Sequence, residues 1–341
     1  MKQFLLSTFL ILSLSALTTP SIAQSPAAAG KDSITRLLRI YEDNDGINIF
    51  GQWTDDAYTA GTRIDLFYQP ATRPHGLLGK YALRAGDSSI DSYGWGVMQL
   101  MYTPEDLSQT TFQPNDYPYS GGLIATHARY SYNPVKHYDL QTELVMGVLG
   151  PASLAQQTQS LVHRLTGFME PKGWGTQFRN APLLNINITA EKQLFAAGNT
   201  LRIIGGGQLY AGTMQNGAAV YPLILLGKMA PYFDGFFSQY TSPGRDHRGR
   251  KKWQLYFMAK PELQYFLTNA LLEGGVFSTN PNKPKYTASI PALQPLFSTF
   301  AFGGVLTYGR LGISFVQNVS SAALKGLYCH DVGNVSVYFG W

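Results

Sequence analysis

The sequence has little cysteine, little charge and few long apolar runs. Its one cysteine, Cys329, excludes an intramolecular disulfide and lies far from any position at which an N-terminal lipoprotein anchor forms. Charged residues make up only 14 % of the chain. Beyond the amino terminus, no run approaches the roughly 18 apolar residues that a membrane helix needs. If the chain meets a membrane, it must therefore do so with strands.

The amino terminus predicts export. A basic Lys2 precedes an apolar stretch over residues 4–17, and Ser21-Ile22-Ala23 forms a small-x-small cleavage site. A retained signal anchor is the alternative, but serines interrupt the apolar stretch. We expect residues 1–23 to be a signal peptide and residues 24–341 to form one mature domain.

The composition is typical of a chain with many turns and many aromatic side chains. It contains 35 glycines, 21 tyrosines and 19 phenylalanines, as expected for a barrel with aromatic girdles at the membrane interfaces. The net charge of +5 is modest. Its densest basic patch, residues 245–252, is more typical of a solvated loop than of a binding site.

Several segments alternate apolar and polar residues with the period of a strand. The clearest is LNINITAE over residues 184–191, and residues 62–68, 138–148 and 253–260 behave similarly. One such segment is weak evidence, but repetition along the chain favours a membrane barrel with one face toward lipid. A soluble sandwich is the alternative, although it would have less reason than a barrel to end the chain on an exposed tryptophan.

The carboxyl terminus also fits a barrel. Residues 335–341 alternate and end on Trp341, which resembles the signal read by the barrel assembly machinery during biogenesis. Together the segments predict an all-β, twelve-stranded antiparallel transmembrane β-barrel in the bacterial outer membrane, with the even strand number that periplasmic termini require. Residues 269–277 fit either an extra hairpin or a long loop. The strands are expected near residues 35–43, 58–69, 93–102, 119–132, 137–149, 182–193, 200–211, 217–228, 252–265, 297–308, 311–319 and 334–341.

One segment breaks the strand pattern. Residues 152–165 contain neither glycine nor proline, follow Gly150-Pro151 and stop before Gly167, which predicts a short helix. It connects the fifth and sixth strands, so we expect it at the extracellular rim. Gln159 and His163 are four residues apart and therefore share one face of this helix.

Acidic and amide side chains are dense at the start of the chain. Asn44 and Asp45 lie in one group, and residues 54–61 follow with two more aspartates and Thr59. Such oxygen donors suit a hard cation such as Ca²⁺, although the spacing alone favours an Asx-rich turn between the first two strands. Thr59 lies an even number of residues before Arg63, so the two side chains share one face of the strand. Because Arg63 is on the polar, lumenal face, we expect Thr59 to point into the lumen, on the same side of the wall as a helix folded inward.

In these segments the sequence resembles the outer-membrane lipid A 3′-O-deacylases. The resemblance extends over the mature chain and includes Tyr58-Thr59-Ala60-Gly61, Met101-Tyr102-Thr103-Pro104, Tyr119-Ser120-Gly121 and Gln159-x-x-x-His163-Arg164. It implies a twelve-stranded barrel, Ca²⁺ as cofactor, and lipopolysaccharide in the outer membrane as substrate. It also implies that the functional residues are Asn44, Asp45, Thr59, Gln159 and His163.

This chain departs from the family pattern at one point. The family has an essential lysine just beyond the proline of the strand-three exit, whereas residues 105–109 here read EDLSQ. That lysine would hold a lipid A phosphate. Arg63 or Arg164 is the expected substitute, or the preferred substrate differs.

The residues suggest ester hydrolysis without a covalent serine step. His163 would be the general base, Asp45 would hold Ca²⁺, and the amides of Asn44 and Gln159 would donate to the oxyanion or orient the base. Glu170 is a weaker candidate metal ligand. Two alternatives stay open: a non-enzymatic channel or adhesin barrel, and a serine-dependent outer-membrane phospholipase, for which Ser160 is the nearest serine on the helix.

Overall fold

Twelve antiparallel strands close into one barrel, in which β1 pairs with both β2 and β12. The computed structural model describes residues 33–49, 56–72, 74–246, 248–275 and 290–341. The expected signal peptide lies outside the described residues. Strands β1 to β12 are Arg36–Asn44, Ala57–Tyr68, Ile90–Thr103, Ser120–Asn133, Tyr138–Leu149, Ala181–Ala197, Leu201–Gly212, Gln215–Lys228, Trp253–Asn269, Leu296–Tyr308, Leu311–Ser320 and His330–Gly340.

All twelve predicted strands are present, and the helix is confirmed. In chain order α1 to α4 are Leu77–Tyr81, Ala155–Thr166, Phe236–Tyr240 and Ala270–Glu273. The ambiguous segment after residue 269 begins as a helical turn, because the Asn269 side chain accepts a hydrogen bond from the Leu271 N–H. No described helix has the length and hydropathy of a membrane span.

Strand β2 shows how alternation assigns the two faces of the wall. Ile64 and Leu66 are more than 40 % exposed and form the outer, lipid-facing side. Asp65, between them, is buried in the lumen, where Arg39 and Arg63 bind its carboxylate at 2.7 and 2.8 Å. The apolar half of each alternating segment therefore faces outward, as the sequence predicted.

At the end of the barrel where β8 joins β9, the lumen is filled by a segment that folds back into it. Residues 229–241, which connect β8 and β9, bring Phe233, Phe236 and Phe237 into an apolar cluster with inward side chains of eight strands. Phe236 lies against Phe67 and Tyr130, with ring centroids 4.4 and 4.8 Å apart. Because side chains from opposite walls meet through this plug, the structure disfavours a channel.

Candidate active site

Helix α2 lies against the outer face of the barrel wall. Trp95 and Val97 mark that face on β3, and Gln99, which continues it, donates a 2.7 Å hydrogen bond to the Ser153 carbonyl just before the helix. Gly121 continues the same face on β4. The expectation that this helix folds inward was therefore wrong, because at this end of the barrel Ala270 and Leu271 already fill the lumen, where they pack against inward side chains such as Leu100 and Leu183.

Gly121 allows the close approach of helix and wall. A Cβ atom at this position would lie 2.4 Å from both the Ala155 Cβ and the Ser153 Oγ. Ala155 is 1 % exposed and packs with Ala60, Met101 and other residues in an apolar cluster. The small side chains at positions 121 and 155 thus set the distance between the wall and the polar face of α2.

We expect Gly121→Val to displace α2 while the barrel still folds. Because a misplacement of about 1 Å can cost about 10²-fold in rate, the variant should lose most of any hydrolysis that depends on α2. Heat-modifiable migration in gels and lipid A mass spectrometry would measure folding and activity. Gly207→Val is the control, since the nearest atom to a Cβ there is the Ala219 carbonyl oxygen at 3.6 Å. Full activity of Gly121→Val would contradict this packing argument.

The turn that ends α2 positions His163. Gly167 has a φ of 77°, and the Phe168 N–H returns to the His163 carbonyl, so the chain folds back over the helix. The Met169 carbonyl then lies 2.6 Å from Nδ1 of His163, which is 3 % exposed. A carbonyl oxygen only accepts, so Nδ1 carries the proton, and Nε2 is the basic nitrogen of the neutral ring.

Gln159 lies one turn before His163 on the same buried face. Its Oε1 accepts a 2.7 Å hydrogen bond from the indole N–H of Trp174, which fixes the orientation of the amide. Gln159 is 3 % exposed, and its Nε2 has no hydrogen-bond partner among the described residues. A buried amide donor without a partner costs stability, so this donor is suited to a ligand oxygen.

On the wall, Asn44 and Thr59 face the side covered by α2. Asn44 pairs with Ala60 on the outer face, and its Oδ1 accepts from the Gly46 N–H at 2.8 Å. A β-bulge at Thr59 shifts the alternation, and the Thr59 hydroxyl lies 2.6 Å from that of Thr103 on the outer face. The predicted lumenal orientation of Thr59 was therefore wrong, because the bulge changes its parity.

Of the three other predicted site residues, one lies on the opposite side of the wall and two are exposed. Arg63 is in the lumen, where it binds Asp65 and, at 3.0 Å, Glu143, so the wall separates it from α2. Arg164 is exposed on α2 and donates to the Ser160 carbonyl. Glu170 is exposed, and its role as a metal ligand stays a prediction.

The donor set near Asp45 fits a hard cation. Asp45 is 1 % exposed, and its Oδ2 accepts from the Asp56 N–H at 3.1 Å, which brings two carboxylates together. Carboxylate oxygens are the ligands that Ca²⁺ prefers. The sequence analysis included Asp56 only in a broad group of oxygen donors and did not assign Thr103 or Trp174 to the site, since these gain their places only through tertiary contacts.

The loop that lacks the expected lysine is acidic and internally bonded. Ser108 and Gln109 donate hydrogen bonds to the Asp106 carboxylate and thereby lower its pKa. An ionised carboxylate here repels a phosphate. The phosphate of a lipid A substrate would therefore have to be held by another part of the chain.

Comparisons with known proteins agree with this architecture. The family model of the outer membrane protein LpxR matches residues 8–341. The solved structure of LpxR from Salmonella typhimurium is 16 % identical with a TM-score of 0.69, covering 89 % of this chain and 100 % of that one. The β domain of the Bordetella autotransporter BrkA is more distant, at 8 % identity and a TM-score of 0.45, with 91 % and 100 % covered.

No curated relative matches the chain by sequence. The structural likeness to the Salmonella protein supports the barrel fold alone, whereas the family model extends over nearly the whole sequence. This match, with the closed barrel and its apolar outer face, places the protein in the outer membrane. The chain belongs to the LpxR family of outer membrane proteins.

Proposed function

We propose that the protein is a lipid A deacylase that hydrolyses the ester-linked 3′-acyloxyacyl chain of lipid A in the outer leaflet. The observation that carries the proposal is His163, a buried imidazole oriented through Nδ1 by the Met169 carbonyl on the outer side of the wall. An acyl ester of a leaflet lipid can reach this side without entering the barrel. The family and the resemblance of the motifs support the same substrate.

The chain's own residues divide the reaction between them. Nε2 of His163 takes a proton from water, the resulting hydroxide attacks the ester carbonyl, and His163 then returns the proton to the leaving alkoxide. The Nε2 amide of Gln159 and the Nδ2 amide of Asn44 donate to the oxyanion. The contact between the Thr59 and Thr103 hydroxyls joins β2 to β3 on the side of the wall that faces α2.

Asp45 is the proposed ligand for Ca²⁺, with Glu170 as a weaker candidate. Bound calcium supplies positive charge that stabilises an oxyanion. We expect exhaustive treatment with a calcium-selective chelator to abolish deacylation and added Ca²⁺ to restore it better than Zn²⁺, because the proposed ligands are hard oxygens. Lipid A turnover by the purified barrel in detergent measures this, and full activity after chelation would rule out the metal requirement.

Arg164 is the proposed replacement for the missing phosphate-binding lysine. It follows His163 on α2 and is about 100° round the helix from it, so it can reach a headgroup phosphate while His163 faces the ester. We expect Arg164→Ala to raise KM for phosphorylated lipid A by about 10-fold, with little effect on a dephosphorylated analogue. Steady-state kinetics on both substrates measure this, and an equal loss on both would show that Arg164 is structural.

Mass spectrometry of lipid A from cells with and without the expressed protein tests the function itself. The expected result is a mass loss that corresponds to one acyloxyacyl group. Unchanged lipid A would refute the proposal and favour an adhesin barrel. Labelling by an active-site serine probe, abolished by Ser160→Ala, would instead favour a serine-dependent phospholipase.

A further inference from the structure

Three ionisable side chains meet at the rim where the barrel closes. Asp45 follows β1, Asp56 precedes β2 and His330 begins β12, and their ligand atoms all lie within 4.8 Å of one another. Among the described residues this is the one group of three His, Cys, Asp or Glu side chains with such spacing. The three residues thus lie at neighbouring strand ends, those of β1, β2 and β12, which barrel closure brings together.

We infer that Asp56 and His330 join Asp45 in a three-ligand metal site that also takes Zn²⁺ and Co²⁺, in competition with Ca²⁺. The inference rests on the proposed function only in so far as Asp45 is also the proposed calcium ligand. Asp56 belongs to the group of oxygen donors that the sequence analysis placed near a cation, whereas His330 lay outside every motif. They are assigned here from their positions around Asp45.

The orientation of His330 is the observation that points to a cation. Its Nε2 lies 3.0 Å from the Tyr58 carbonyl, so Nε2 carries the proton and donates. Its Nδ1 lies 3.3 Å from Asp56 Oδ1. In the neutral ring, the lone pair on His330 Nδ1 would then face a lone pair on the Asp56 carboxylate. This arrangement requires either a cation between the two atoms or a proton on Nδ1. Histidine ligands of metals characteristically donate their other N–H to such a carbonyl.

The surroundings favour a held ion over a solvated turn. Asp45 and His330 are 1 % and 8 % exposed, and the Asp56 side chain is 13 % exposed. In the part of the chain that the structure describes, the ion pair of Asp56 is with His330. Two carboxylates so close and so little solvated repel each other, and a divalent cation between them removes that repulsion.

The ligand types set the choice of metal. Two carboxylates alone suit Ca²⁺, for which imidazole is a poor ligand, whereas an imidazole with carboxylates suits Zn²⁺ and Co²⁺. Affinity for Ca²⁺ should therefore depend on Asp45 and Asp56, and affinity for Co²⁺ on all three residues. His330 gives the site its capacity for transition metals.

The test is Co²⁺ binding by the chelator-treated, full-length barrel in detergent, followed by visible absorption and calorimetry. We expect one equivalent to bind to the wild type. His330→Ala should bind Co²⁺ at least about 10-fold more weakly, since even the loss of a metal histidine's outer hydrogen-bond partner costs 10–100-fold. Its Ca²⁺ affinity should change less than about 3-fold, whereas the isosteric Asp56→Asn should weaken both metals.

His127→Ala is the matched control, because His127 likewise has one ring nitrogen against a backbone carbonyl, its Nδ1 being 2.9 Å from that of Gly94, but lies on the lipid-facing wall. It should bind Co²⁺ like the wild type. Wild-type protein without stoichiometric binding, which would mean that a proton alone joins His330 to Asp56, would overturn the inference. So would unchanged Co²⁺ affinity in both His330→Ala and Asp56→Asn. Binding is measured without substrate, so intact binding beside absent deacylation would refute the proposed function and support the metal site.

Discussion

Replacing His163 with alanine is expected to reduce deacylation by at least about 10²-fold and to leave a folded, heat-modifiable barrel in the outer membrane. The rate falls because no other group is positioned by α2 to take the proton from water. The fold survives because backbone hydrogen bonds between strands close the barrel, and α2 takes no part in that strand pairing. Lipid A mass spectrometry on membranes of equal barrel content measures the loss.

His127 provides the control for this substitution as well. Its ring is stacked on Trp95 at 3.8 Å and its Nδ1 contacts a backbone carbonyl, so its local environment is similar without a helix above it. His127→Ala should retain wild-type turnover. Normal turnover by the position 163 variant would remove His163 from the mechanism.

The substitution Gln159→Glu is expected to lower kcat by about 10²- to 10³-fold, as for the loss of an oxyanion donor. The carboxylate keeps the shape of the amide and can still accept from Trp174, but it replaces a donor with an acceptor and adds negative charge beside the developing oxyanion. KM should change much less than kcat, because the contact forms in the transition state. Steady-state kinetics on purified lipid A separate the two parameters.

Gln156→Glu is the matched control, since Gln156 lies on the same helix but is exposed. It adds the same charge to α2 away from the buried face and should leave kcat within about 2-fold of the wild type. Equal losses in both variants would indicate a general charge effect on the helix. Gln159 would then have no specific role.

The sequence predicted the barrel well because alternation is a local property that each strand repeats. Residues 184–191 show this, since their odd and even positions separate into lumenal and lipid-facing sets in the structure. The helix was also predictable, because glycines bound a segment without strand periodicity. Its side of the wall was not, since that depends on Gly121 and on the filling of the lumen at this end by Ala270 and Leu271.

The sequence predicted only those site residues that belong to short motifs or share a helical spacing. Gln159 and His163 share a face by helical spacing alone, whereas the position of Thr59 depends on a one-residue bulge that no parity count reveals. Trp174 reaches Gln159 through the loop that follows α2, and His330 reaches the rim from the last strand of the barrel. Their roles follow from loop conformation and barrel closure, which leave no periodic signal in the sequence.

The position of α2 outside the wall has a kinetic consequence. A lipid that diffuses laterally reaches α2 on the outer wall without leaving its leaflet, so the encounter occurs in two dimensions. The rate should then follow the surface mole fraction of the substrate and not its bulk concentration. Dilution of lipid A with inert phospholipid in mixed micelles should slow turnover even when the total amount of lipid A is held constant.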